Sequence, residues 1–566
     1  MPNLAAIRNS VFLIITTLAF TIALFPQDAA NPWMMAPAAL LSVYLILSGR
    51  LSQINLRDPV LLLILLLWLG WTWGAIFSSV PFASQVTLAI LTTLPAAYLC
   101  TAQRDITKII YLICGIVTAL ATSAMIYMAL PGHYWRAKLF FDDENILGGL
   151  IAFTMPLVLS FHFSTQNKKI KILIHLALAI LLGGLIATQS RSGLLGAILG
   201  IALVIFKNRS FISARSWKMV IPILLVLVIG FSLSTIGHRL LLMVQLDKDV
   251  MGRIALWSSS LKMTLIDPFH GVGLGIFHLY YPPYKTLADN SAGFWVHMDP
   301  LQWAVETGWG TALAFYALTI FVAFRLFFSK NLTQLQIGAG AALGTIFLIA
   351  HASYIFHYTA VTLLTGILLA VFASNTYAPQ NNLRYIPAIA LMTVLLCQLW
   401  NVMQTAPTLY FWTKAINASQ EKDMKSYADH LQICIDKGNP AFPACRIEAA
   451  GYLIRRMPDP PQDVLVWLQE AEIASPDSPE SDIWHAQYYL KKNPNDLNLV
   501  MATLRKALAK NPTLWPPRSL LVQILTSQKK YQEAFDTLQE ARKWQIDRSF
   551  LEEYYKMERD LAERLK

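Results

Sequence analysis

Over residues 1–404 the chain repeats one pattern: long apolar runs separated by short polar connections. A bilayer core takes about 20 residues of apolar helix to cross, and lipid leaves helix as the way to satisfy backbone groups in a single segment. The runs therefore predict thirteen spans, near 9–26, 33–48, 59–78, 84–101, 107–130, 145–164, 170–188, 192–206, 217–236, 301–324, 335–355, 359–375 and 385–403. Beyond residue 404 the pattern changes. Apolar or small residues recur at +4 and +7 in the sets Tyr427/Leu431/Cys434, Val464/Leu468/Ala471, Val500/Leu504/Ala507 and Ala534/Leu538/Ala541. That spacing predicts amphipathic helices, and Pro440, Pro476 and Pro512 close the first three. The expected fold class is all-α: a polytopic transmembrane bundle followed by a helical repeat.

Composition sharpens the division. Charged residues make up 14% of the 566-residue chain, against about 25% in soluble domains. Residues 1–404 hold 23 basic and 12 acidic side chains, whereas residues 405–566 hold 22 of each. The net charge of +11 thus belongs wholly to the apolar part, which excludes a single soluble domain or a disordered chain and disfavours a nucleic-acid binder. Two domains are expected, 1–404 in the membrane with a long loop at 237–300, and 405–566 as the tail.

Basic residues in the loops set the orientation. With the N-terminus inside, Arg8, Arg50, Arg57, Arg104, Lys108, Lys168, Lys169, Lys171, Lys207, Arg209, Arg215, Lys218, Arg325, Lys330 and Arg384 face the cytoplasm. Only two acids, Asp58 and Asp105, join those fifteen, while the opposite side carries 8 basic and 10 acidic residues. The odd span count exports the tail, and a miscount by one would reverse that. Cleavage of the first span as a signal peptide would leave the rest unchanged. In an exported tail Cys434 and Cys445 could form a disulfide. Cys100, Cys114 and Cys397 lie in or beside spans, and no C-x-x-C metal motif occurs.

The long loop is aromatic and patterned. It contains Gly252-Arg253-Ile254-Ala255-Leu256-Trp257, Asp267-Pro268-Phe269-His270-Gly271-Val272-Gly273-Leu274-Gly275, Tyr280-Tyr281-Pro282-Pro283-Tyr284 and His297-Met298-Asp299-Pro300-Leu301-Gln302, with Glu306-Thr307-Gly308 beyond. Its glycines lack the strand and βαβ context of a dinucleotide site. A tight turn near the membrane surface is the expectation instead.

With Asn145-Ile146-Leu147-Gly148 and Ser190-Arg191-Ser192-Gly193 placed earlier, these motifs appear in one order across residues 136–310. That order resembles the O-antigen ligase and polymerase family of membrane glycosyltransferases. The tail, with a period near 34 and closing prolines, resembles the tetratricopeptide (TPR) repeat, an array that usually offers a concave face to a protein partner. Two positions depart from the family pattern: Met298 follows the histidine, and Asp142-Asp143-Glu144 precedes Asn145. The resemblance implies a GT-C-like bundle in a bacterial inner membrane. The active site and tail would be periplasmic, and a glycan would pass from undecaprenyl diphosphate to an acceptor hydroxyl.

The acceptor expected first is lipid A–core, as in an O-antigen ligase. The alternatives are a growing glycan (polymerase) and a protein Ser or Thr (oligosaccharyltransferase). No cofactor and no metal are implied. The expected catalytic residues are His297, Arg191, Arg253 and Glu306. His297 would act as base. Arg136, Arg191 and Arg253 would hold the diphosphate, since guanidinium binds phosphate oxygens bidentately. Glu306 would orient a neighbour by its charge, and Tyr280, Tyr281 and Tyr284 would offer sugar platforms.

Each candidate has an ordinary alternative. Arg191 could snorkel from a helix end, Arg253 could pair with Asp247 or Asp249, and Arg136 could be a plain loop cation. His297 could be structurally bonded, Glu306 could complement a helix N-terminus, and the tyrosines could pack at the interface. His351 and His357 suggest no role. A lipid-linked glycan transporter would need paired charges deep in several spans and an internal repeat. A non-catalytic scaffold would have no use for arginines at these places.

Overall fold

The computed structural model describes residues 4–24, 31–48, 51, 57–102, 104–130, 136–141, 143–211, 248–289, 291–373, 385–544 and 546–566. The expected ninth span, 217–236, lies outside them, as do 237–247, His133, Trp135 and Asp142. Among the described residues there are 23 α-helices and no strand. The protein is all-α and polytopic.

The bundle opens with α1 (Leu4–Ala23), α2 (Ala36–Ser48), α3 (Pro59–Ile76) and α4 (Pro81–Thr101), then α5 (Thr107–Ala129) and α6 (Glu144–Ser164). It continues with α7 (Lys168–Thr188) and α8 (Arg191–Lys207). The loop region holds α9 (Lys248–Met263), the single turn α10 (Phe277–Tyr280) and the short α11 (Asp299–Thr307). The membrane part ends with α12 (Trp309–Phe328), α13 (Gln334–Ala350), α14 (Thr359–Ala373) and α15 (Tyr385–Gln420). Seven of these helices are long and apolar enough to cross a membrane, and four shorter apolar helices accompany them.

Helices α6, α8 and α13 pack together at the centre, and α4 packs against α14. The approach is close because small residues line the contacts. A side chain on Gly200 would meet Thr345 and Pro156, and one on Gly366 would meet the Leu94 carbonyl. In contrast α3 turns Leu62, Leu66, Leu69, Trp73 and Ile76 outward as an exposed apolar stripe, the face a lipid-contacting helix needs.

Helix ends that loop charge assigns to one side do meet at one end. The Lys207 ammonium at the end of α8 donates to the Ser329 carbonyl beyond α12 (2.9 Å). At the start of α3, Asp58 accepts the Tyr98 hydroxyl from the last turn of α4.

Two boundaries move. The expected tenth span at 301–324 is two helices: α11 ends at Thr307, and α12 starts at Trp309 after Gly308 at φ +81°. The apolar run conceals this break because Gly308 takes a backbone conformation that L residues rarely adopt. The second boundary is the change of composition near residue 405, which falls inside α15. At 36 residues that helix is about 54 Å long, well beyond a hydrocarbon core of about 30 Å. It therefore carries the chain from the bundle into the tail without a linker.

The tail holds α16 (Met424–Lys437), α17 (Ala444–Arg456), α18 (Asp463–Ala474) and α19 (Glu480–Lys492). Then follow α20 (Leu497–Lys510), α21 (Trp515–Ser527), α22 (Tyr531–Gln539) and α23 (Leu551–Arg564), each packed on its neighbours in sequence. All twelve residues of the four +4/+7 sets are buried. They lie on α16, α18, α20 and α22, with Ala541 just past the last, so alternate helices supply the repeating core. Cys434 and Cys445 form a disulfide joining α16 to α17.

Candidate active site

Residues far apart in sequence converge where the ends of α5–α8, α9 and the turn after α13 meet. The first anchor is the contact between the two early motifs. Asp143 caps α6 by accepting the Asn145 N–H (2.7 Å), and it also accepts the Asn145 side-chain amide (2.9 Å). That fixes Asn145 so that its carbonyl oxygen receives the Ser190 hydroxyl (2.9 Å). Ser190 in turn caps α8, accepting the Gly193 N–H at 3.2 Å. The helices can approach because Gly148 has no side chain: a Cβ there would lie 2.4 Å from the Ser190 Cβ. Arg191, the first residue of α8, is thereby held at a helix N-terminus with its side chain exposed.

Arg136 closes this corner. It donates to the carbonyls of Thr188 (3.2 Å) and Gln189 (3.3 Å) at the end of α7, to Asn145 (3.2 Å), and pairs with Glu144. Those contacts occupy most of the five N–H groups of a guanidinium. Arg136 therefore clamps α6 to α7, with most of its donors directed at the protein. Burial lowers its pKa, Glu144 and Asp143 oppose that shift, and the charges of Arg191 and Arg253 reinforce it. Arg136 is therefore within electrostatic reach of both Arg191 and Arg253.

Arg253, on α9, donates to the Ala352 carbonyl in the turn after α13 (2.9 Å). That turn also supplies Tyr354, whose ring meets His297 edge-on at 4.9 Å. Burial first, and then the charges of Tyr358 and Asp143, push the Tyr354 hydroxyl pKa up, so the α6 corner lies near this tyrosine. Neither Tyr354 nor Asp143 is among the expected site residues; Asp143 stands in the segment that departs from the family pattern, and no motif marks Tyr354.

His297 sits at φ +56°, a conformation that costs of order 1–3 kcal/mol and persists only where the surroundings fix it. They do so here through a relay. Glu306, fully buried, accepts the Gln302 side-chain amide (2.8 Å) and the Phe277 N–H (3.3 Å). Gln302 accepts the Val296 N–H (2.8 Å), and the Val296 carbonyl accepts the Trp257 indole N–H (3.0 Å). On the other flank Asp299 accepts the Ile355 N–H (3.0 Å) and faces His357 at 3.6 Å. His357 thus has a role the sequence did not suggest. Burial, with Arg253 adding to it, pulls the His297 pKa down to about 4. At neutral pH the ring is uncharged and can accept a proton.

Two expectations change and a third, the glycine turn, gains a function. Glu306 is in the short helix α11 rather than in the first turns of a span, and it touches structural groups of the loop. The glycine turn packs on the end of α11: the Val272 and Gly273 N–H groups cap the Val305 and Glu306 carbonyls at 2.9 and 3.0 Å. The expected tight turn is present, with Gly271, Gly273 and Gly275 all at positive φ, and it also caps the helix. The tyrosines also divide. Tyr281 is 1% exposed and donates its hydroxyl to Asp289. Tyr280 donates to Asp477 of the tail (2.5 Å). Tyr284 is half-buried against the loop's own core.

The O-antigen ligase family matches residues 176–316, a stretch containing Arg191, Arg253, His297 and Glu306. No curated protein matches the chain.

Proposed function

From a chain whose residues 176–316 form an O-antigen ligase-like domain, we propose a metal-independent, inverting glycosyltransferase. Its donor is a glycan on undecaprenyl diphosphate, its acceptor a hydroxyl of lipid A–core. The observation that supports the reading is geometric: Arg253 donates to the Ala352 carbonyl in the turn that presents Tyr354, and the Tyr354 ring meets His297 at 4.9 Å. The acceptor oxygen attacks the anomeric carbon as the C1–O bond to phosphate breaks. The bonding pair leaves with undecaprenyl diphosphate, and the hydroxyl proton passes to His297. A single in-line displacement inverts the anomeric centre. Arg191 and Arg253 neutralise the departing diphosphate, Arg191 with the help of the α8 N-terminus. Arg136, Glu306 and Asp299 position these groups.

The side of the membrane follows from the loop charges, which put this end of the bundle outside an inner membrane. The Cys434–Cys445 disulfide agrees with an oxidising compartment, and the helical-repeat tail would recruit a protein partner there. The test is reconstituted transfer from purified undecaprenyl-diphosphate glycan, scored as release of undecaprenyl diphosphate. Arg191→Ala, Arg253→Ala and His297→Ala should each abolish release while the protein still inserts. Full activity in all three refutes the site. Gels of a deletion strain identify the acceptor: loss of all capped lipopolysaccharide, a single-repeat ladder, or unglycosylated protein.

A further inference from the structure

The seam between the loop and the tail encloses two cavities, of about 720 and about 600 Å³. Each is of the size that holds a drug-sized ligand. They share Lys285, Ala292, Thr513 and Leu514 on their walls, so they form one trough. The near end reaches Trp295, which stacks on Tyr354 at 5.4 Å and 10°, and Tyr354 contacts His297. The far end lies against Trp515, Trp544 and Phe550 of the tail. Two aromatic rings, Trp295 and Tyr354, therefore stand between the trough and the proposed base.

Its chemistry is mixed in a particular way. Aromatic faces, among them Phe294 at 60% exposure, alternate with hydroxyl and amide groups such as Ser478, Asn511 and Thr513. Two of its cationic groups are already engaged. Arg518 donates to the carbonyls of Pro512 and Thr537 and pairs with Glu540, while Lys285 donates to the Ser291 carbonyl. Such a lining suits a ligand with apolar C–H faces and many hydroxyls. We propose that the loop–tail seam is a binding groove for an extended saccharide chain, held as its end reacts at His297. The inference rests on the glycosyltransferase reading and adds a substrate contact in the tail.

The test compares donors carrying one repeat unit and several, using the full chain in proteoliposomes. Phe294→Ala and Trp544→Ala lie outside the catalytic groups. Each should raise KM for the long donor roughly tenfold, the factor that about 1.4 kcal/mol of lost contact makes. The single-repeat donor should be unaffected. Competition by free oligosaccharide released from the donor, and separately from the acceptor, tells which chain occupies the groove. Quenching of tryptophan fluorescence by the same oligosaccharides reads binding without turnover, and unchanged melting of both variants confirms their folding.

The groove is refuted if the variants treat both donors alike or if no saccharide quenches the fluorescence. It is also refuted if they slow transfer to a protein acceptor regardless of glycan length, which marks a peptide site. A wild-type chain that releases undecaprenyl diphosphate from neither donor refutes the enzymatic reading instead, an outcome distinct from the first three.

Discussion

Glu306 separates two kinds of role, because one near-isosteric change preserves its hydrogen bonds and removes its charge. The carboxylate is fully buried and accepts from Gln302 and the Phe277 N–H. Glu306→Ala strands both donors, each costing about 1–3 kcal/mol when left unpaired in the interior. The local cost is therefore roughly 2–6 kcal/mol, enough to release Gln302 from Val296 and let His297 relax from φ +56°. A displacement of about 1 Å at a reacting group can lower the rate about 100-fold. Glu306→Gln keeps an acceptor oxygen toward both donors and should retain activity within about tenfold of wild type. The assay is kcat and KM for undecaprenyl diphosphate release, with melting temperature measured alongside. The expected pattern is a fall in kcat for the alanine variant, a small effect for the glutamine variant, and little change in KM for either. If Glu306→Gln melts like wild type yet is as inactive as Glu306→Ala, Glu306 acts through its charge or proton, and the positioning argument fails.

Other consequences are as direct. The folded-state pKa of His297, about 4, lies below the ordinary histidine value of about 6.5. The unfolded chain therefore binds the proton first as pH falls. The contribution of the neutral ring to stability should be complete above about pH 6.5 and lost between there and about pH 4. The acid limb of kcat/KM should fall near pH 4; a limb at 6.5 would place His297 in water. Gly148→Val would drive a side chain into Ser190, overpacking that costs about 1–3 kcal/mol. It should lower both the melting temperature and transfer, whereas an unchanged melt would deny the α6–α8 contact. Reducing Cys434–Cys445, whose sequence separation is 11, should cost the tail about 3 kcal/mol, read as a lower denaturant midpoint in its own transition. In cells, both thiols should resist alkylation until reductant is added.

What the sequence made legible follows from how local each constraint is. A membrane helix must satisfy its own backbone and show apolar residues along its length, so twelve of the thirteen expected spans overlap helices among the described residues. The +4/+7 sets of the tail are just as local: the repeat period predicts a buried face, and all twelve side chains are in it. The break at Gly308 was hidden because composition stays apolar on both sides, while the decision is made by one dihedral angle and by Trp309 donating to the Pro268 carbonyl (3.0 Å). No window of sequence contains both partners.

The same reasoning explains which site residues carried a signal. Asn145, Ser190, Arg191, Arg253 and His297 stand in motifs at fixed offsets from helix ends, and a helix end is where a loop residue can be both held and exposed. Tyr354 occupies no such pattern, yet its ring meets His297 at 4.9 Å. Asp299 holds the backbone of the turn that presents Tyr354, 56 residues away in the chain. Their contribution exists only once α6, α11 and the turn after α13 are assembled, so a linear reading ranks them with ordinary loop residues. Arg136 shows the converse. Its type and place invited a phosphate-binding role, but helix ends presenting Thr188, Gln189, Glu144 and Asn145 to it absorb most of its hydrogen-bonding capacity. In this protein a charged side chain near the site is a candidate for chemistry only after its donors have been accounted for. By that measure Arg136 and Glu306 enter the proposed mechanism as positioning groups, and His297 enters it as the proposed base.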